Sequence, residues 1–310
     1  MEILYNNDHI KGLNILATIG MFDGVHLGHR FLINNVVQSA RQVGTKSAII
    51  TFKDHPQRVF NPSSDLRMIT TIDERLKRIA ELGVDFAIVL DFTQEFSKIS
   101  SAEFMRMLKQ QFSISTLIMG FNHRFGCNKD EDFDDYIEHG KNLGIAVKRA
   151  EEYRGEYSPV SSSLVRKMIE EGRVDLAKLY LTRPFELSGT VVHGKQNGRK
   201  IGFPTANIDV PPYIIIPHRG VYTVTATLEN GESYGGMANI GVRPTIEKGG
   251  SRTIEVNIFD FDDDIYGQTL NVQFMKFMRS EMKMGSLEEL KNKLALDKLA
   301  CIDTLKNQKS

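Results

Sequence analysis

Cysteine is scarce in this chain of 310 residues. The two cysteines, Cys127 and Cys301, stand far apart, and neither belongs to a CxxC pair. This argues against a disulfide framework and against a structural zinc site, and isolated thiols are typical of a reducing cytosol. The first residues, MEILYNNDHIKG, also lack the basic and apolar segments of a secretory signal. We therefore expect a cytoplasmic protein.

An excess of one charge is missing as well. Lys plus Arg and Asp plus Glu both number 39, so the formal net charge is 0. Proteins that wrap nucleic acid or lie on an anionic membrane usually carry a basic excess. No apolar run approaches the ~20 residues of a transmembrane helix. We expect neither nucleic acid nor a membrane as a partner, and the sequence leaves the oligomeric state open.

The first half of the chain alternates between short apolar segments and helix-like segments. Strands are predicted at ILATIG, KSAIITF, DFAIVLDF, STLIMGF and GIAVKRA, with helices between them. These strands are short and mainly apolar, without period-2 alternation, which is typical of a parallel sheet that is buried on both faces. Ligands of such sheets bind at the carboxyl ends of the strands. The turn after the first of these strands and the segment FNHRFG after the fourth should lie there.

The pattern changes near residue 183. Five closely spaced β-rich segments follow, and then one amphipathic segment, SLEELKNKLALDKLACIDTLK. The spacing predicts an antiparallel barrel or sandwich that is followed by a helix. A chain of this length has room for about two domains. We place them at residues 1–183 and 184–310.

The turn GMFDGVHLGHR, residues 20–30, combines three glycines with His26 and His29. Glycines let the backbone approach a ligand, and the first N–H groups of the following helix form an anion site. The histidines are three residues apart, so they share one helical face and could hydrogen-bond phosphate oxygens. No GxxxxGK[ST] segment is present, so the turn is not a P-loop. Three interpretations stay open: a structural turn, a phosphate site, and a metal site of Asp23, His26 and His29.

The turn resembles the histidine-bearing turn of nucleotidylyltransferases, in the form found in bacterial bifunctional riboflavin kinase/FMN adenylyltransferases. ITFKDHP resembles the F-x-P-H-P segment of that family, with Asp54 in place of a proline. MGFNHRFG resembles its G-x-D-F-x-F-G segment, with Asn122 and His123 in the middle. VSSSLVR resembles its I-S-S-T-x-I-R segment, with Val160 for isoleucine and Ser163 for threonine.

The resemblance implies an ATP site in the first domain. His26 and His29 would stabilise the α-phosphate as it is attacked, and Ser162 and Arg166 would hold the phosphates that leave as pyrophosphate. Flavin contacts are expected from His55 and Asn122, although His55 also fits a plain loop. The remaining ATP contacts implied in the turn are Gly20, Phe22, Asp23, Gly24 and Gly28.

GRKIGFPTANI, residues 198–208, is the most informative stretch of the second half. Its two glycines permit close backbone approach, and Thr205 and Asn207 offer oxygen ligands suited to Mg²⁺ beside phosphates. A plain loop could show the same residues. The stretch resembles the G-x-P-T-A-N segment of riboflavin kinases, where the threonine and asparagine bind Mg–ATP. The resemblance implies that ATP is bound by Gly202, Pro204, Thr205 and Asn207, with Thr205 and Asn207 as the metal ligands.

The segment RTIEVNIFDF resembles the T-x-E segment of the same kinases. There the carboxylate is the base on the terminal ribityl hydroxyl, and here it is Glu255. Thr253, Glu255 and Asn257 alternate, so they should share one face of a strand. The alternative is a solvent-facing carboxylate on an edge strand. Arg279 and Glu281, in MRSEMKM, resemble an R-x-E segment near the flavin ring, but they also fit plain surface charges.

The resemblance covers nearly the whole chain. It implies an α/β nucleotidylyltransferase domain with a Rossmann-like parallel sheet, then an antiparallel β-barrel riboflavin kinase domain with a terminal helix. The implied enzyme converts riboflavin to FMN and FMN to FAD, with ATP and Mg²⁺, and its flavins are substrates and products rather than a prosthetic group. Two alternatives remain: an enzyme with one active half, and a flavin- or nucleotide-binding regulator.

Overall fold

The computed structural model describes residues 1–61, 63–121, 123–194, 197–242, 252–282 and 284–307. The chain divides into two units, residues 1–162 and 163–310. Within the described ranges, no helix is both long enough and apolar enough to cross a membrane.

The first unit is built on a six-stranded sheet whose neighbouring strands are all parallel. Its strands are β1 (Glu2–Tyr5), β2 (Ile15–Ile19), β3 (Lys46–Phe52), β4 (Phe86–Leu90), β5 (Ile114–Met119) and β6 (Ala146–Arg149). All five residues of β2 are buried, as expected for a central strand. The parallel sheet predicted from the sequence is confirmed. The structure adds β1, which the sequence analysis did not predict.

Helices connect these strands, namely α1 (Leu27–Gln42), α2 (Pro56–Phe60), α3 (Ile72–Ala80), α4 (Ser101–Phe112) and α5 (Phe133–Leu143). Helix α3 begins with a capping box, in which Thr71 and Glu74 each accept a hydrogen bond from the other's backbone N–H. The next helices along the chain are α6 (Ser162–Glu170) and α7 (Val174–Leu181). They are separated at Gly172, whose φ of 78° ends the helical run.

The order of the strands, β1-β4-β3-β2-β5-β6, changes direction at β2. Strands β3 and β4 lie on one side of β2, and β5 and β6 lie on the other. The loops that leave β2 and β5 therefore diverge and open a crevice at the carboxyl edge of the sheet. Ligands of open α/β sheets bind in such crevices.

The second unit contains a closed barrel of six strands, in the order β10-β11-β8-β7-β12-β9 with antiparallel neighbours throughout. The strands are β7 (Phe185–Val192), β8 (Ala206–Asp209), β9 (Gly220–Thr227), β10 (Ser233–Val242), β11 (Arg252–Ile258) and β12 (Thr269–Arg279), and the short helix α8 (Asn197–Lys200) precedes β8. Of the two predicted architectures, the barrel is confirmed. The short strand β8 begins at the last two residues of the GFPTAN stretch, and the sequence did not predict it as a separate strand.

The chain ends in helix α9 (Leu287–Asn307), which covers one outer side of the barrel. Cys301 is fully buried there, in a cluster with Val221, Met237 and Phe259 of the barrel. Burial raises the pKa of the Cys301 thiol, as expected for an inert cysteine. The predicted terminal helix is therefore confirmed, and its amphipathic pattern serves to cover the barrel.

Candidate active sites

The loop after β2 has an unusual backbone. Phe22 and Val25 have φ values of 50° and 44°, and Gly24 between them has a φ of 79°. Positive φ is costly for side chains such as phenylalanine and valine, and it persists only where surrounding contacts hold it. Strain of this kind is concentrated at functional sites. Residues 20–26 therefore form a strained turn that the surrounding contacts hold in one conformation.

Asp23 supplies the contacts that hold this turn. Its carboxylate is 1% exposed and accepts hydrogen bonds from the backbone N–H groups of Ile69 and Thr70 at 3.0 to 3.1 Å. The Thr70 hydroxyl adds a bond to Asp23 at 3.2 Å and accepts one from Gly24 N at 3.1 Å. Asp23 and Gly24 thus hold the loop in its shape. Contact of these two residues with ATP stays a prediction. No group of three or more His, Cys, Asp or Glu residues in the described chain could hold a metal, so the predicted alternative of Asp23, His26 and His29 does not form.

His26 and His29 are held together at the start of α1. His26 is the N-cap residue, and its Nδ1 accepts a hydrogen bond from His29 N at 3.4 Å. In the neutral ring this leaves the proton on Nε2, which is then a donor. The two rings stack with centroids 3.6 Å apart, and Phe22 contacts the edge of His29 at 5.2 Å. The predicted histidine pair is therefore one preorganised unit at a helix N-terminus, where anions bind well.

A cavity of about 520 Å³ opens in front of this pair. Its walls include Gly20, Phe22, Gly28 and both histidines, whereas Asp23 and Gly24 are not among its lining residues. Contact of these residues with ATP stays a prediction. Its walls also include residues 120–121 after β5 and residues 158–162, which lead into the first turn of α6. A volume of this size suits a nucleotide-sized ligand. We call this the histidine cleft.

The serine segment closes one side of the histidine cleft. The Ser162 hydroxyl donates to the Asp23 carbonyl at 3.0 Å, which joins the start of α6 to the histidine turn. This bond brings together the two motifs that the sequence analysis assigned to the ATP phosphates. Arg166 follows Ser162 by four residues on α6, so both lie on one helical face. Its contact with phosphates stays a prediction.

A second cavity, of about 250 Å³, lies next to the first. Its wall is largely aromatic, with Phe52, Phe92, Phe96, Phe104 and Phe125 as its phenylalanines. Neighbouring rings pack edge to face, with their centroids 5.3 to 5.6 Å apart. This packing fixes the shape of the pocket. We call this the aromatic cavity. No part of the sequence analysis identified these five residues together.

The predicted flavin contacts of the first half have mixed outcomes. His55 caps helix α2, because its Nδ1 accepts from Gln57 N at 3.2 Å, while the adjacent Pro56 lines the aromatic cavity. Asn122 lies outside the described residues. The neighbouring His123 lines both the histidine cleft and the aromatic cavity.

In the barrel, Glu255 occupies the middle of a polar row. It is paired in register with Asn207 on β8 and with Asn239 on β10. Directly paired residues of antiparallel strands carry their side chains on the same face, about 5 Å apart at Cβ. Because β11 is paired on both sides, the alternative of an edge strand for Glu255 is wrong.

This row lies on the outer face of the barrel. Asn257 shares the face of Glu255 and is paired with Met237, which contacts α9. The intervening Ile254 and Val256 are 2% and 0% exposed and fill the interior. The predicted alternation of Thr253, Glu255 and Asn257 is therefore confirmed.

The GFPTAN stretch forms a tight turn into β8. Gly202 has a φ of 82°, which glycine adopts easily, and the Pro204 carbonyl accepts a bond from the Asn257 amide at 2.7 Å. A Cβ on Gly202 would meet nothing within 4 Å, so the expected close approach does not occur there. It occurs at the other glycine of the pair, Gly198, where a Cβ would clash with the Phe203 carbonyl oxygen, and also at Gly194, where a Cβ would clash with the Asn207 amide.

Thr205 lines a small cavity of about 60 Å³, together with Arg199 and the three consecutive aspartates 262–264. Asn207, two residues later, is 8% exposed and stands beside Glu255. Hydroxyl and amide oxygens are the hard donors that Mg²⁺ accepts, and Mg²⁺ bound with a nucleotide takes its other ligands from phosphates and water. The donor set of Thr205 and Asn207 therefore fits Mg²⁺ that is bound together with ATP.

Arg279 and Glu281, at the end of β12, have different hydrogen-bond partners. The Arg279 guanidinium contacts the Asp297 carboxylate of α9 at 2.6 and 2.9 Å, and both side chains are largely buried. Glu281 accepts from the amide of Asn239, next to Glu255, at 3.4 Å. The structure thus brings Glu281 to the polar row, and it uses Arg279 to attach α9. Flavin contact by either residue stays a prediction.

Comparisons with known proteins agree with this division of the chain. Residues 11–164 match the FAD synthetase family, and residues 181–305 match the riboflavin kinase family. A bifunctional riboflavin kinase/FMN adenylyltransferase from Pseudomonas fluorescens is 36% identical over 91% of this chain and 90% of its own length. The protein of that name from Listeria monocytogenes is 34% identical over 94% and 92%, and that from Bacillus subtilis is 32% identical over 94% and 93%.

A solved structure shares the fold over nearly the whole chain. It is described as a macrolide-efflux protein from Streptococcus pneumoniae, and it superposes with a TM-score of 0.85 at 28% sequence identity, over 97% of this chain and 99% of that one. The family matches and the relatives of nearly equal length give the same classification for both halves. The chain belongs to the family of bifunctional riboflavin kinases/FMN adenylyltransferases.

Proposed function

We propose that this chain phosphorylates riboflavin to FMN and then adenylylates FMN to FAD. This proposal rests on one observation, which is that each half of the chain has its own set of candidate reactive groups. The first half presents the stacked pair His26 and His29 to a nucleotide-sized cavity. The second half places Glu255 between two amides. We assign adenylylation to residues 1–183 and phosphorylation to residues 184–310, with riboflavin, FMN and ATP as the substrates.

In the first half, ATP occupies the histidine cleft. The phosphate of FMN attacks the α-phosphate of ATP, a P–O bond forms, and pyrophosphate leaves with the electrons of the broken anhydride bond. His26 and His29 donate hydrogen bonds to the α-phosphate oxygens, on which negative charge increases in the transition state. Ser162 and Arg166 hold the departing phosphates. Catalysis is positioning and charge stabilisation, without a covalent intermediate on the enzyme.

The aromatic cavity suits the flavin ring of FMN. Five phenylalanine side chains offer an apolar, aromatic environment, and the cavity shares a wall with the histidine cleft. A ring bound there leaves the phosphate of FMN directed toward the cleft, where the attack on ATP takes place. Asn122 and His55 remain our candidates for polar contacts with the flavin.

In the second half, Glu255 accepts the proton of the 5′-hydroxyl of riboflavin while that oxygen attacks the γ-phosphate of ATP. ADP leaves, and the flavin gains the phosphoryl group. Asn207 and Asn239 flank the carboxylate in register on the neighbouring strands. Arg279 and Glu281 remain our candidates for contacts with the flavin. Gly202, Pro204 and Thr205 form the turn that approaches ATP. Mg²⁺, held by Thr205 and Asn207 with the ATP phosphates, supplies positive charge for the transferred phosphoryl group.

One assay tests the proposal on the full-length chain. Riboflavin, ATP and Mg²⁺ are incubated with the protein, and the flavins are separated by chromatography. We expect FMN first and FAD later. FMN without FAD would indicate an enzyme with one active half, and unchanged riboflavin would indicate a binding protein. Omission of Mg²⁺ should stop the formation of FMN.

The Glu255→Gln variant separates the two reactions. We expect it to lower the rate of riboflavin phosphorylation at least about 100-fold, because the amide cannot accept the proton. Conversion of added FMN to FAD should stay at the level of the unmodified chain. Glu288→Gln, an exposed glutamate on α9, is the matched control and should change neither rate. Loss of both activities in Glu255→Gln would contradict the assignment of Glu255 to the kinase half.

We also propose the cytoplasm as the location of this protein. Cys127 is exposed and Cys301 is buried, and both are free thiols, which persist in a reducing compartment.

A further inference from the structure

His123 holds a distinctive place in the first unit. Three described residues line both the histidine cleft and the aromatic cavity, namely Ile19, Met21 and His123. Ile19 and Met21 are apolar, so among them only His123 can form a side-chain hydrogen bond. It follows β5, at the point where the order of the strands diverges and ligands are expected. The segment that MGFNHRFG resembles carries phenylalanine at this position.

One nitrogen of the His123 imidazole lacks a hydrogen-bond partner in the described part of the chain. Its backbone N–H donates to the Gly120 carbonyl at 3.0 Å, which fixes the position of the residue. The Nε2 atom is shielded from solvent and has no hydrogen-bond partner among the residues that the structure describes. Burial lowers the pKa of His123 to about 4, so the ring is neutral near pH 7. A buried polar atom without a partner costs about 1–3 kcal/mol, so a residue of this kind calls for an explanation in function.

The chemistry of the substrate supplies an explanation. FMN has a flat ring, a chain of hydroxyl groups and a terminal phosphate. If the ring lies in the aromatic cavity and the phosphate in the histidine cleft, the ribityl phosphate arm passes the wall that the two cavities share. A neutral imidazole nitrogen can either donate to a phosphate oxygen or accept from a hydroxyl.

We propose that His123 is a specificity-determining residue, which hydrogen-bonds the ribityl phosphate arm of FMN through Nε2. The inference rests on the proposed adenylyltransferase function of the first half. It adds to that function a contact which the phenylalanine of the related segment cannot make. The contact favours binding of FMN and leaves the binding of ATP and the chemical step unaffected.

Two substitutions test the inference in the full-length chain. His123→Phe keeps an aromatic ring but removes both nitrogens. His123→Gln places an amide group at about the depth of Nε2. We expect His123→Phe to raise the KM for FMN about three- to tenfold, the value of one hydrogen bond, without a change in kcat or in the KM for ATP. His123→Gln should restore part of the affinity for FMN. His9→Phe, at an exposed histidine, should leave all three constants unchanged.

Thermal unfolding separates this role from a structural one. We expect His123→Phe to be at least as stable as the unmodified chain, because it removes a buried polar atom without a partner. A lower stability together with equal changes in both KM values would assign His123 to the fold and overturn the inference. An unchanged KM for FMN in an active His123→Phe enzyme would also overturn it. If the unmodified chain makes no FAD from FMN and ATP, the proposed function itself fails.

Discussion

At the scale of single residues, His26 performs two tasks that a substitution can separate. Its Nδ1 caps helix α1, and its ring stacks on His29 at the wall of the histidine cleft. The first task requires only an acceptor at the N-cap position, which asparagine also provides. The second requires a donor at the depth of Nε2. A loss of activity on replacement of His26 can therefore come from the loss of the helix cap or from the loss of the Nε2 donor.

We predict that His26→Asn and His26→Ala lose FAD formation to a similar extent, about 100-fold, because both lack the donor to the α-phosphate. Their stabilities should differ, with the asparagine variant more stable by about 1 kcal/mol, because it retains the cap. Denaturant unfolding and the rate of FAD formation check both statements. Riboflavin phosphorylation is the internal control and should stay constant. An active His26→Asn variant would show that His26 only caps the helix and does not act on the α-phosphate.

Candidate site residues could be selected from the sequence more easily than the residues that contact them. The histidine pair, Ser162 and Glu255 could be identified because each belongs to a short local pattern. The partners of Asp23 and Arg279 lie 46 and 18 residues away, at Ile69 and Asp297, and no local pattern connects them. Asn239 was missed for a related reason: its place beside Glu255 follows from the register of β10 with β11, which a single sequence does not reveal.

At the scale of elements, a buried ion pair adds to the apolar contacts that attach helix α9 to the end of β12. The Asp297 side chain is 7% exposed and contacts Arg279 at 2.6 Å, and Lys293 of the same helix contacts its other oxygen at 3.2 Å. Removing one member of a buried pair leaves the other charge without compensation in a poorly solvated place. The pair is therefore far more sensitive to substitution than an exposed one.

We predict that Asp297→Asn destabilises the second unit by about 3 kcal/mol, as measured by denaturant unfolding. The control is Lys298→Gln on the same helix. Lys298 pairs with Asp260 at 3.5 Å, but the Asp260 side chain is 90% exposed, so the loss should be below about 1 kcal/mol. A double-mutant cycle with Arg279→Gln isolates the pair from other effects. Equal losses in Asp297→Asn and Lys298→Gln would show that the ion pair does not attach the helix.

The elements that the sequence missed are the short ones. Strands β1 and β8 have four residues each, and helix α2 has five. Segments of this length do not complete enough periods to be distinguished from loops. The central parallel strands of the first unit, β2 to β5, could be predicted because they are buried on both faces and are therefore mainly apolar. The choice of barrel over sandwich depended on strand pairing, which local patterns do not specify.

At the scale of the whole molecule, the described cavities are lined separately. The walls of the histidine cleft and the aromatic cavity consist of residues from the first unit, and the Thr205 cavity and the row around Glu255 consist of residues from the second. FMN is the product of one proposed reaction and a substrate of the other. If each site is complete within its own half, FMN that leaves the kinase site of one chain can enter the adenylyltransferase site of another.

We therefore predict that two inactive chains complement each other in a mixture. Glu255→Gln should make no FMN from riboflavin, and His29→Ala should accumulate FMN without FAD. A mixture of the two should form FAD from riboflavin after a lag, because FMN must first accumulate in solution. Additional Glu255→Gln chain should raise the rate of FAD formation once the lag has passed, since it supplies the active adenylyltransferase sites. Chromatography of the flavins over time measures both the lag and the rate. If the mixture accumulates only FMN, the adenylyltransferase site of the Glu255→Gln chain does not take up FMN from solution, and the two sites are not independent.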